Sequence, residues 1–177
     1  IKFINNIPFY GVAICFIDHP EVKKLISKIK DRRVITYGYS SEADIQIINL
    51  EYKKNKAHFQ IYKKQNEEYF KFKLPMYGDH NVANATAAIT VAFHLKIPLE
   101  DIKKGLENFK GVKRRFTKVY TWNGIDIIDD YAHHPVEISA VLSAARKYTS
   151  GRVIAIHQPH RYSRLANLMT DFSKCFD

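Results

Sequence analysis

Residues 127–135 read Ile127-Ile128-Asp129-Asp130-Tyr131-Ala132-His133-His134-Pro135, an apolar run that stops at two carboxylates, an aromatic ring and two histidines. The pattern recurs at residues 153–164, which read Val153-Ile154-Ala155-Ile156-His157-Gln158-Pro159-His160-Arg161-Tyr162-Ser163-Arg164. A short apolar run followed by a helix start predicts a strand and then a helix. If both strands lie in one parallel sheet, both loops lie at its carboxyl edge, where open α/β sheets bind ligands. The sequence therefore predicts one site formed by both loops.

The composition indicates a globular chain with a basic surface. The 177 residues are 46% hydrophobic, which is enough to build a core and excludes gross disorder. Lys and Arg number 28 against 18 Asp and Glu, so the formal charge is +10. This balance favours anionic partners such as phosphates, nucleic acid or an acidic membrane. A solvated lysine-rich surface explains it equally well, because no block of five like charges occurs.

The cysteine content and the hydropathy of the sequence predict the compartment in which the protein is found. Cys15 and Cys175 are the only cysteines, which favours a reduced cytosol over a disulfide framework, and neither has the spacing of a zinc site. No stretch approaches the ~20 apolar residues that span a bilayer, and no signal peptide is visible. We therefore expect a cytoplasmic chain with no metal site and no membrane insertion. Because it begins without methionine and stops inside an amphipathic pattern, we also expect a fragment of a longer protein.

The periodicity of the first part predicts a βαβ-like unit, an antiparallel meander and two helices. The βαβ-like unit comprises strands at 12–17 and 34–37 and a helix at about 20–30. The meander comprises strands at 45–50, 57–62 and 69–74. The helices span 80–96 and 98–109.

After Gly111 the sequence pattern changes from one that predicts helices to one that predicts strands. Strands at 116–122 and 125–128 flank Asn123-Gly124, a dipeptide typical of hairpin turns. A helix at 135–148, a strand at 153–156 and a helix from about residue 160 follow. The fold class is therefore α/β, and we expect the first domain to span residues 1–112 and the second 113–177.

Two clusters in the middle of the chain point to a nucleotide. Asn81 and Asn84 are three residues apart at a helix start, and an Asn amide matches the N6 donor and N7 acceptor of adenine. Spacing alone slightly favours ordinary capping. Arg114 and Arg115 have the planar donors that suit phosphate, although composition slightly favours a solvated linker. The chain contains no Gly-Lys-Ser or Gly-Lys-Thr, so any P-loop lies elsewhere.

The two loops quoted first also carry candidate anion contacts. Pro135 suits the first position of a helix, so the preceding residues lie at a helix N-terminus, where anions are favoured. The alternative is a capping Asp with surface histidines. Arg161 and Arg164 lie together at another helix start, where cations are unfavourable unless they hold an anion. The alternative is packing of the arginine stems against a neighbouring element.

In this order, these clusters resemble the Mur ligases of bacterial cell-wall synthesis over essentially the whole chain. They are closest to the members that join L-alanine to UDP-N-acetylmuramate. The resemblance is carried by six motifs, which are Asn6-Ile7-Pro8-Phe9-Tyr10-Gly11, Ile35-Thr36-Tyr37-Gly38, His80-Asn81-x-x-Asn84-Ala85, Gly111-Val112-Lys113-Arg114-Arg115-Phe116, Asp129-Asp130-Tyr131-Ala132-His133-His134-Pro135 and Gln158-Pro159-His160-Arg161-Tyr162-Ser163-Arg164.

The resemblance implies a fold and a reaction. Residues 1–112 would be the second half of a P-loop-type ATPase domain that contains the meander. Residues 113–177 would be the first part of a Rossmann-like, parallel-sheet domain that binds the amino acid. The implied reaction is ATP-driven amide formation through an acyl phosphate in peptidoglycan synthesis, with UDP-N-acetylmuramate, L-alanine and ATP as substrates. Mg²⁺ is implied as well, with its ligands expected mainly upstream. Without the P-loop, those ligands and the nucleotide-sugar domain, the isolated chain should not catalyse.

The resemblance also implies residue roles. His80, Asn81 and Asn84 would hold adenine. Arg115 would approach the ATP phosphates, and Asp130 the ribose. The amino acid and the reacting carboxylate would be bound by Tyr131, His133, His160, Arg161 and Arg164, with His133 and His160 as the catalytic pair.

Three positions depart from the family pattern, and two other functions stay open. Ala132 stands in place of a usual glycine, Tyr77 in place of a usual proline, and Asp18-His19-Pro20 in place of a paired-Asp motif. A related ligase that recycles murein tripeptide is the first alternative. The second is a basic, non-catalytic domain that binds nucleic acid or phospho-ligands. The preferred function predicts no nucleic-acid partner and leaves the oligomeric state open.

Overall fold

The computed structural model describes residues 2–53 and 56–176, which form two compact units. The first unit comprises the described residues up to Met76 together with Asn81–Phe109. The second comprises Tyr77–His80 together with the described residues from Lys110 onward. No helix in the described ranges is both long and apolar enough to cross a membrane.

The first unit is built on a five-stranded mixed sheet in the order β1-β2-β3-β4-β5. Strands β1, β2 and β3 pair in parallel, and β3, β4 and β5 pair antiparallel, which confirms the predicted βαβ unit and meander. Residues 54 and 55, which connect β3 and β4 in the sequence, lie outside the described residues. The elements in chain order are α1 (Lys2–Asn5), β1 (Val12–Phe16), α2 (Pro20–Ile26), β2 (Arg33–Gly38), β3 (Ile45–Lys53), β4 (Lys56–Lys63), β5 (Glu68–Leu74), α3 (Asp79–His94) and α4 (Leu99–Glu107).

The core of this unit follows from strand alternation. Ala57, Phe59 and Ile61 occupy alternate positions of β4 and are buried, because successive side chains of a strand point to opposite faces. Ile61 pairs with Ile47 of β3 and Phe70 of β5. The helix α3 contributes buried apolar side chains to the same cluster, as does Ile102 of α4.

One carboxylate joins the ends of β1 and β2. Asp18 accepts hydrogen bonds from the backbone N–H groups of Tyr39, at 2.6 Å, and Ser40, at 2.9 Å. A Cβ on Gly38 would lie 2.5 Å from Asp18 Oδ2, so only glycine allows this close approach. The first residue of the unusual Asp18-His19-Pro20 stretch therefore has a structural role.

The second unit contains a two-stranded antiparallel sheet and three helices. The hairpin turn has positive φ at both Asn123 (47°) and Gly124 (80°), which is the twist that a two-residue hairpin turn requires and which confirms the predicted hairpin. Helix α5 begins and ends where the sequence predicts. The elements are β6 (Thr117–Trp122), β7 (Ile125–Asp129), α5 (Pro135–Tyr148), α6 (Tyr162–Asn167) and α7 (Met169–Phe172).

One predicted element of this unit was wrong. Residues 153–156 are not a strand, and in the described part of the unit β7 pairs only with β6, so the parallel sheet expected for residues 113–177 is not formed. A strand needs a hydrogen-bonded neighbour, and apolar residues alone do not supply one. Ile154 and Ile156 are accordingly 70% and 98% exposed. The mixed α/β class of the chain is nevertheless confirmed.

Candidate functional site

Hydrogen bonds to the side chain of Asp130 link the loop after β7 to the segment before β6. One oxygen of its carboxylate accepts the backbone N–H of Phe116 at 2.7 Å, and the other accepts that of Ala132 at 2.7 Å. The backbone N–H of Tyr131 donates to the carbonyl oxygen of Arg114 at 2.8 Å. Arg114 and Phe116 both have positive φ, 59° and 48°, a strained conformation that residues other than glycine adopt mainly where the surroundings impose it.

The two arginines of this segment contact the loop in different ways. The Arg114 guanidinium lies 4.8 Å from the centre of the Tyr131 ring, and its Nε lies 3.4 Å from Asp129. Arg115 Nη1 lies 3.8 Å from an oxygen of Glu137. Arg114 therefore packs against the loop, as a cation–π contact allows, and is not a free linker residue.

Of the two adjacent histidines before α5, only His134 caps the helix. His134 is the N-cap residue, and its Nδ1 accepts the backbone N–H of Val136 at 3.4 Å. The Glu137 carboxylate accepts the backbone N–H groups of His133, at 3.1 Å, and His134, at 3.3 Å. This reciprocal arrangement is a capping box. Burial alone would raise the pKa of Glu137, but these hydrogen bonds and the nearby charges of His133 and Arg115 lower it below its usual value.

The two loops of the predicted site do meet. The His133 ring lies 6.0 Å from the His160 ring and 5.1 Å from the Tyr131 ring, measured between centroids. The loops therefore approach each other without the parallel strands that the sequence suggested. Tyr131 and His160 are exposed, and His133 is partly buried.

The two candidate arginines of the second loop differ in their surroundings. Arg161 is exposed and is the N-cap residue of α6, with φ at 73°. Arg164 is partly buried, and its Nη1 is a buried donor with no hydrogen-bond partner in the described residues. Neither arginine forms an ion pair among residues 2–53 and 56–176. A buried unpaired N–H of a guanidinium is costly, so it favours an acceptor from a ligand.

His80 lines a cavity of about 220 Å³ in the second unit. A Cβ on Gly78, whose φ is 98°, would lie 2.6 Å from His80 Cε1, so glycine is required there. Asp79 is held by Lys147, whose Nζ lies 2.9 Å from both carboxylate oxygens. The remaining lining residues are Ala140, Ser143 and Ala144.

We expect a pH-dependent loss of stability that arises from His80. Burial lowers its pKa, and the charge of Arg115 acts in the same direction, whereas Asp130 and Asp79 oppose it. Because the folded state then binds a proton less readily than the unfolded chain, its stability is intact above about pH 6.5 and falls as the pH falls towards the folded pKa. The Tm of the chain should therefore decline between pH 7 and pH 5.

The His80→Gln variant isolates this contribution, because glutamine is neutral throughout that range. Its Tm, followed by circular dichroism in steps of half a pH unit, should decline less steeply between pH 7 and pH 5 than that of the wild type. His19→Gln, at an exposed position, is the matched control and should keep the wild-type slope. Parallel curves for wild type and His80→Gln would contradict the assignment.

Asn81 and Asn84 belong to the first unit, as the third and sixth residues of α3. Their environments differ, because Asn81 is only 7% exposed whereas Asn84 is exposed. Asn84 is therefore the one of the two that offers its amide to solvent.

A metal site is not found within the described ranges. No three His, Cys, Asp or Glu side chains there come together in a way that could hold an ion. No chemical step is therefore assigned to a metal ion held by these residues alone.

Sequence reasoning overlooked two residues of this unit. Glu137 is recognisable afterwards from its position three residues after the N-cap, which is the capping-box spacing, but histidine is not a favoured cap. Lys147 pairs with Asp79 across 68 residues of sequence, and no local pattern predicts such a pair.

Family models and curated relatives that match this chain belong to the same family. The model of the Mur ligase middle domain matches residues 1–92, and the model of the Mur ligase, glutamate ligase domain, matches residues 114–177. The UDP-N-acetylmuramate–L-alanine ligases of Dinoroseobacter shibae and Roseobacter denitrificans are 54% and 56% identical over 99% and 100% of this chain. The chain spans about 38% of the length of these relatives.

A solved structure agrees with the sequence relatives. The crystal structure of the UDP-N-acetylmuramate–alanine ligase MurC from Thermotoga maritima matches with a TM-score of 0.73 and 28% identity. The match covers 93% of this chain and 35% of that one. Since the middle-domain model alone covers more than half of the sequence, the chain belongs to the Mur ligase family.

Proposed function

We propose that the protein containing this chain joins L-alanine to UDP-N-acetylmuramate with the use of ATP, through an acyl phosphate, in peptidoglycan precursor synthesis. The observation that carries the proposal is the approach of His133 and His160 from two separate loops, with 6.0 Å between the centroids of their rings. Polar side chains that converge in this way are typical of a site. The names of the relatives that are more than half identical to this chain support the choice of substrates.

The amino acid is proposed to lie at the second loop. Arg161 and Arg164 carry planar donors that suit a carboxylate. The buried, unpaired Nη1 of Arg164 supports this role, because a bound carboxylate would satisfy it. A carboxylate held there would orient the amino group for attack, and orientation of this kind is a major source of rate enhancement.

The reacting carboxyl group is proposed to lie beside Tyr131, His133 and His160. In amide formation from an acyl phosphate, negative charge develops on the carbonyl oxygen as the amine attacks. The imidazole of His160 and the phenol of Tyr131 can donate hydrogen bonds to that oxygen, and the imidazole of His133 can accept one from the attacking amine. His133 and His160 are therefore the proposed catalytic residues.

The nucleotide-binding roles implied by the family resemblance are proposed here as well. Asn84, with His80 and Asn81, would bind adenine, and Arg115 would approach the phosphates. Asp130 would accept a hydrogen bond from the ribose. This is compatible with its two observed backbone bonds, because each carboxylate oxygen has a second lone pair. The Mg²⁺ implied by the family would be bound by residues outside this chain.

We further propose that residues 1–112 belong to the central ATP-binding domain and 113–177 to the amino-acid-binding domain. The change between structural units at 109/110 supports a boundary near there. Because the chain has no phosphate-binding P-loop motif, it should not catalyse the reaction by itself.

The full-length protein provides the direct test. Phosphate release is measured with ATP, Mg²⁺ and UDP-N-acetylmuramate, with and without L-alanine. Alanine-dependent release is expected. Release that requires a murein tripeptide in place of L-alanine would instead identify a recycling ligase, and release with neither acceptor would contradict both functions.

Asn84→Ala in the full-length protein should raise the KM for ATP roughly tenfold, the size of one lost hydrogen bond. The KM for L-alanine should stay within about twofold, since Asn84 belongs to the other unit. Val91→Ala is the matched control, because Val91 is also exposed and lies two helical turns further along α3. An unchanged KM for ATP in an active Asn84→Ala variant would remove Asn84 from the adenine site.

A further inference from the structure

Glu137 makes more contacts than a helix cap requires. In a capping box, the glutamate at the third helical position accepts one N–H, that of the N-cap residue. Here the same oxygen, Oε2, also accepts the backbone N–H of His133 at 3.1 Å and lies 3.6 Å from His133 Nδ1. The other oxygen lies 3.8 Å from Arg115 Nη1. The carboxylate thus contacts both the backbone and the ring of His133.

These contacts determine which nitrogen of His133 carries the proton. Nδ1 lies 2.9 Å from the carbonyl oxygen of Tyr131, and a carbonyl oxygen can only accept. Nδ1 is the donor in this contact, and the neighbouring Glu137 carboxylate adds to the preference for a proton on the same nitrogen. In the neutral ring Nε2 is then an acceptor, and it has no hydrogen-bond partner in the described residues. The charged or titratable groups facing this ring are Tyr131, His160 and Glu137, with Arg115 on the far side of the carboxylate.

We propose that Glu137 is a positioning residue, which fixes the ring orientation and the Nδ1–H tautomer of His133 and so leaves Nε2 free to accept a hydrogen bond from the amino group of the incoming amino acid. This inference rests on the proposed function for the identity of the ligand. The tautomer itself is independent of that function. The ionised carboxylate, and not only its acceptor geometry, is the effective group.

Two variants separate the charge from the cap. Glu137→Gln keeps an oxygen that can accept both backbone N–H groups, but it removes the negative charge beside Nδ1. Glu137→Ala removes both. Glu100→Gln is the matched control, because Glu100 lies in the first turn of α4 and is exposed. A role confined to capping predicts wild-type behaviour for Glu137→Gln and a defect only for Glu137→Ala.

The first measurement uses the ¹⁵N-histidine-labelled chain. Long-range ¹H–¹⁵N spectra, with the His133 signals assigned from a His133→Gln sample, distinguish the two tautomers. We expect the Nδ1–H form in the wild type and in Glu100→Gln, and a larger Nε2–H population in Glu137→Gln. The same His133 spectrum in wild type and Glu137→Gln would overturn the proposal.

The second measurement is made in the full-length protein. Glu137→Gln should raise the KM for L-alanine roughly tenfold, as expected for one impaired hydrogen bond, with a smaller change in the KM for ATP. An altered tautomer with an unchanged KM for L-alanine would also overturn the proposal. A wild-type protein without alanine-dependent phosphate release would refute the proposed function, while the spectra would still decide whether Glu137 controls His133.

Discussion

Removing the side chain of Arg161 in the full-length protein is expected to raise the apparent KM for L-alanine by roughly 10- to 100-fold, with a smaller effect on kcat. A charge-assisted contact to a carboxylate is among the stronger hydrogen bonds, and its loss corresponds to a factor of this size. The KM should change most, because the contact between the guanidinium and the substrate carboxylate is present both in the bound substrate and in the transition state. Arg164→Ala should act in the same direction.

The backbone at Arg161 determines the choice of variant. Its φ of 73° is comfortable only for glycine, so alanine there keeps a strain of about 1 kcal/mol or more. Arg161→Gly removes the guanidinium and relieves that strain. If the side chain binds the substrate, Arg161→Gly and Arg161→Ala should raise the KM for L-alanine equally. Arg152→Ala, an exposed arginine outside both loops, should leave the KM unchanged. A wild-type KM in the Arg161 and Arg164 variants would remove the second loop from the substrate site.

Replacing Ile61 by alanine is expected to destabilise the first unit by roughly 2–5 kcal/mol. Ile61 is fully buried, at 0% exposure, on a strand that has a paired neighbour on each side. Its surroundings can relax only in part, so the variant loses both the transfer free energy of the side chain and the contacts across the remaining cavity. Ile61→Val, which removes one methylene, should cost about 0.5–1.5 kcal/mol.

Urea unfolding followed by far-UV circular dichroism measures the change. The midpoint should fall while the slope of the transition with urea stays constant, because the surface exposed on unfolding is nearly unchanged. Trp122 is the only tryptophan and lies in the second unit, so its fluorescence follows that unit separately. Lys71→Ala, at an exposed position of β5, is the control and should change the free energy of unfolding by less than about 0.5 kcal/mol. An Ile61→Ala midpoint equal to that of Lys71→Ala would contradict the core assignment.

The elements that were predictable from sequence are those set by local chemistry. The hairpin follows from Asn123-Gly124, because both residues accept positive φ. Helix α5 follows from Pro135 at its first position and from the change of periodicity after Tyr148. The meander follows from alternation, since one face of each strand must be buried.

What could not be predicted depends on partners distant in sequence. Residues 153–156 have strand-like composition, but whether a strand forms depends on a neighbour that four residues cannot specify. The different burial of Asn81 and Asn84 depends on how α3 is rotated by the packing of Val82 and Ile89. The approach of the two loops that carry His133 and His160 was predicted, but from a parallel sheet that is not formed in the described residues, so the sequence supplied no physical reason for the ring contact itself. The sequence indicated which residues to consider, and packing decides how they are arranged.

Asp130 has a consequence for how this protein can diversify. The two hydrogen bonds to its carboxylate link the backbone at Phe116 to the backbone at Ala132, so we expect the two segments to move together. Phe116 directly follows Arg115 in the sequence, and Ala132 directly follows Tyr131. A mutation that shifts either segment is transmitted to the other through a single carboxylate. If Arg115 and Tyr131 have the proposed roles, changes in nucleotide affinity and in amino-acid preference are coupled, and variants that accept a new amino acid should arise more readily by changes around residues 161–164 than by changes in residues 130–134.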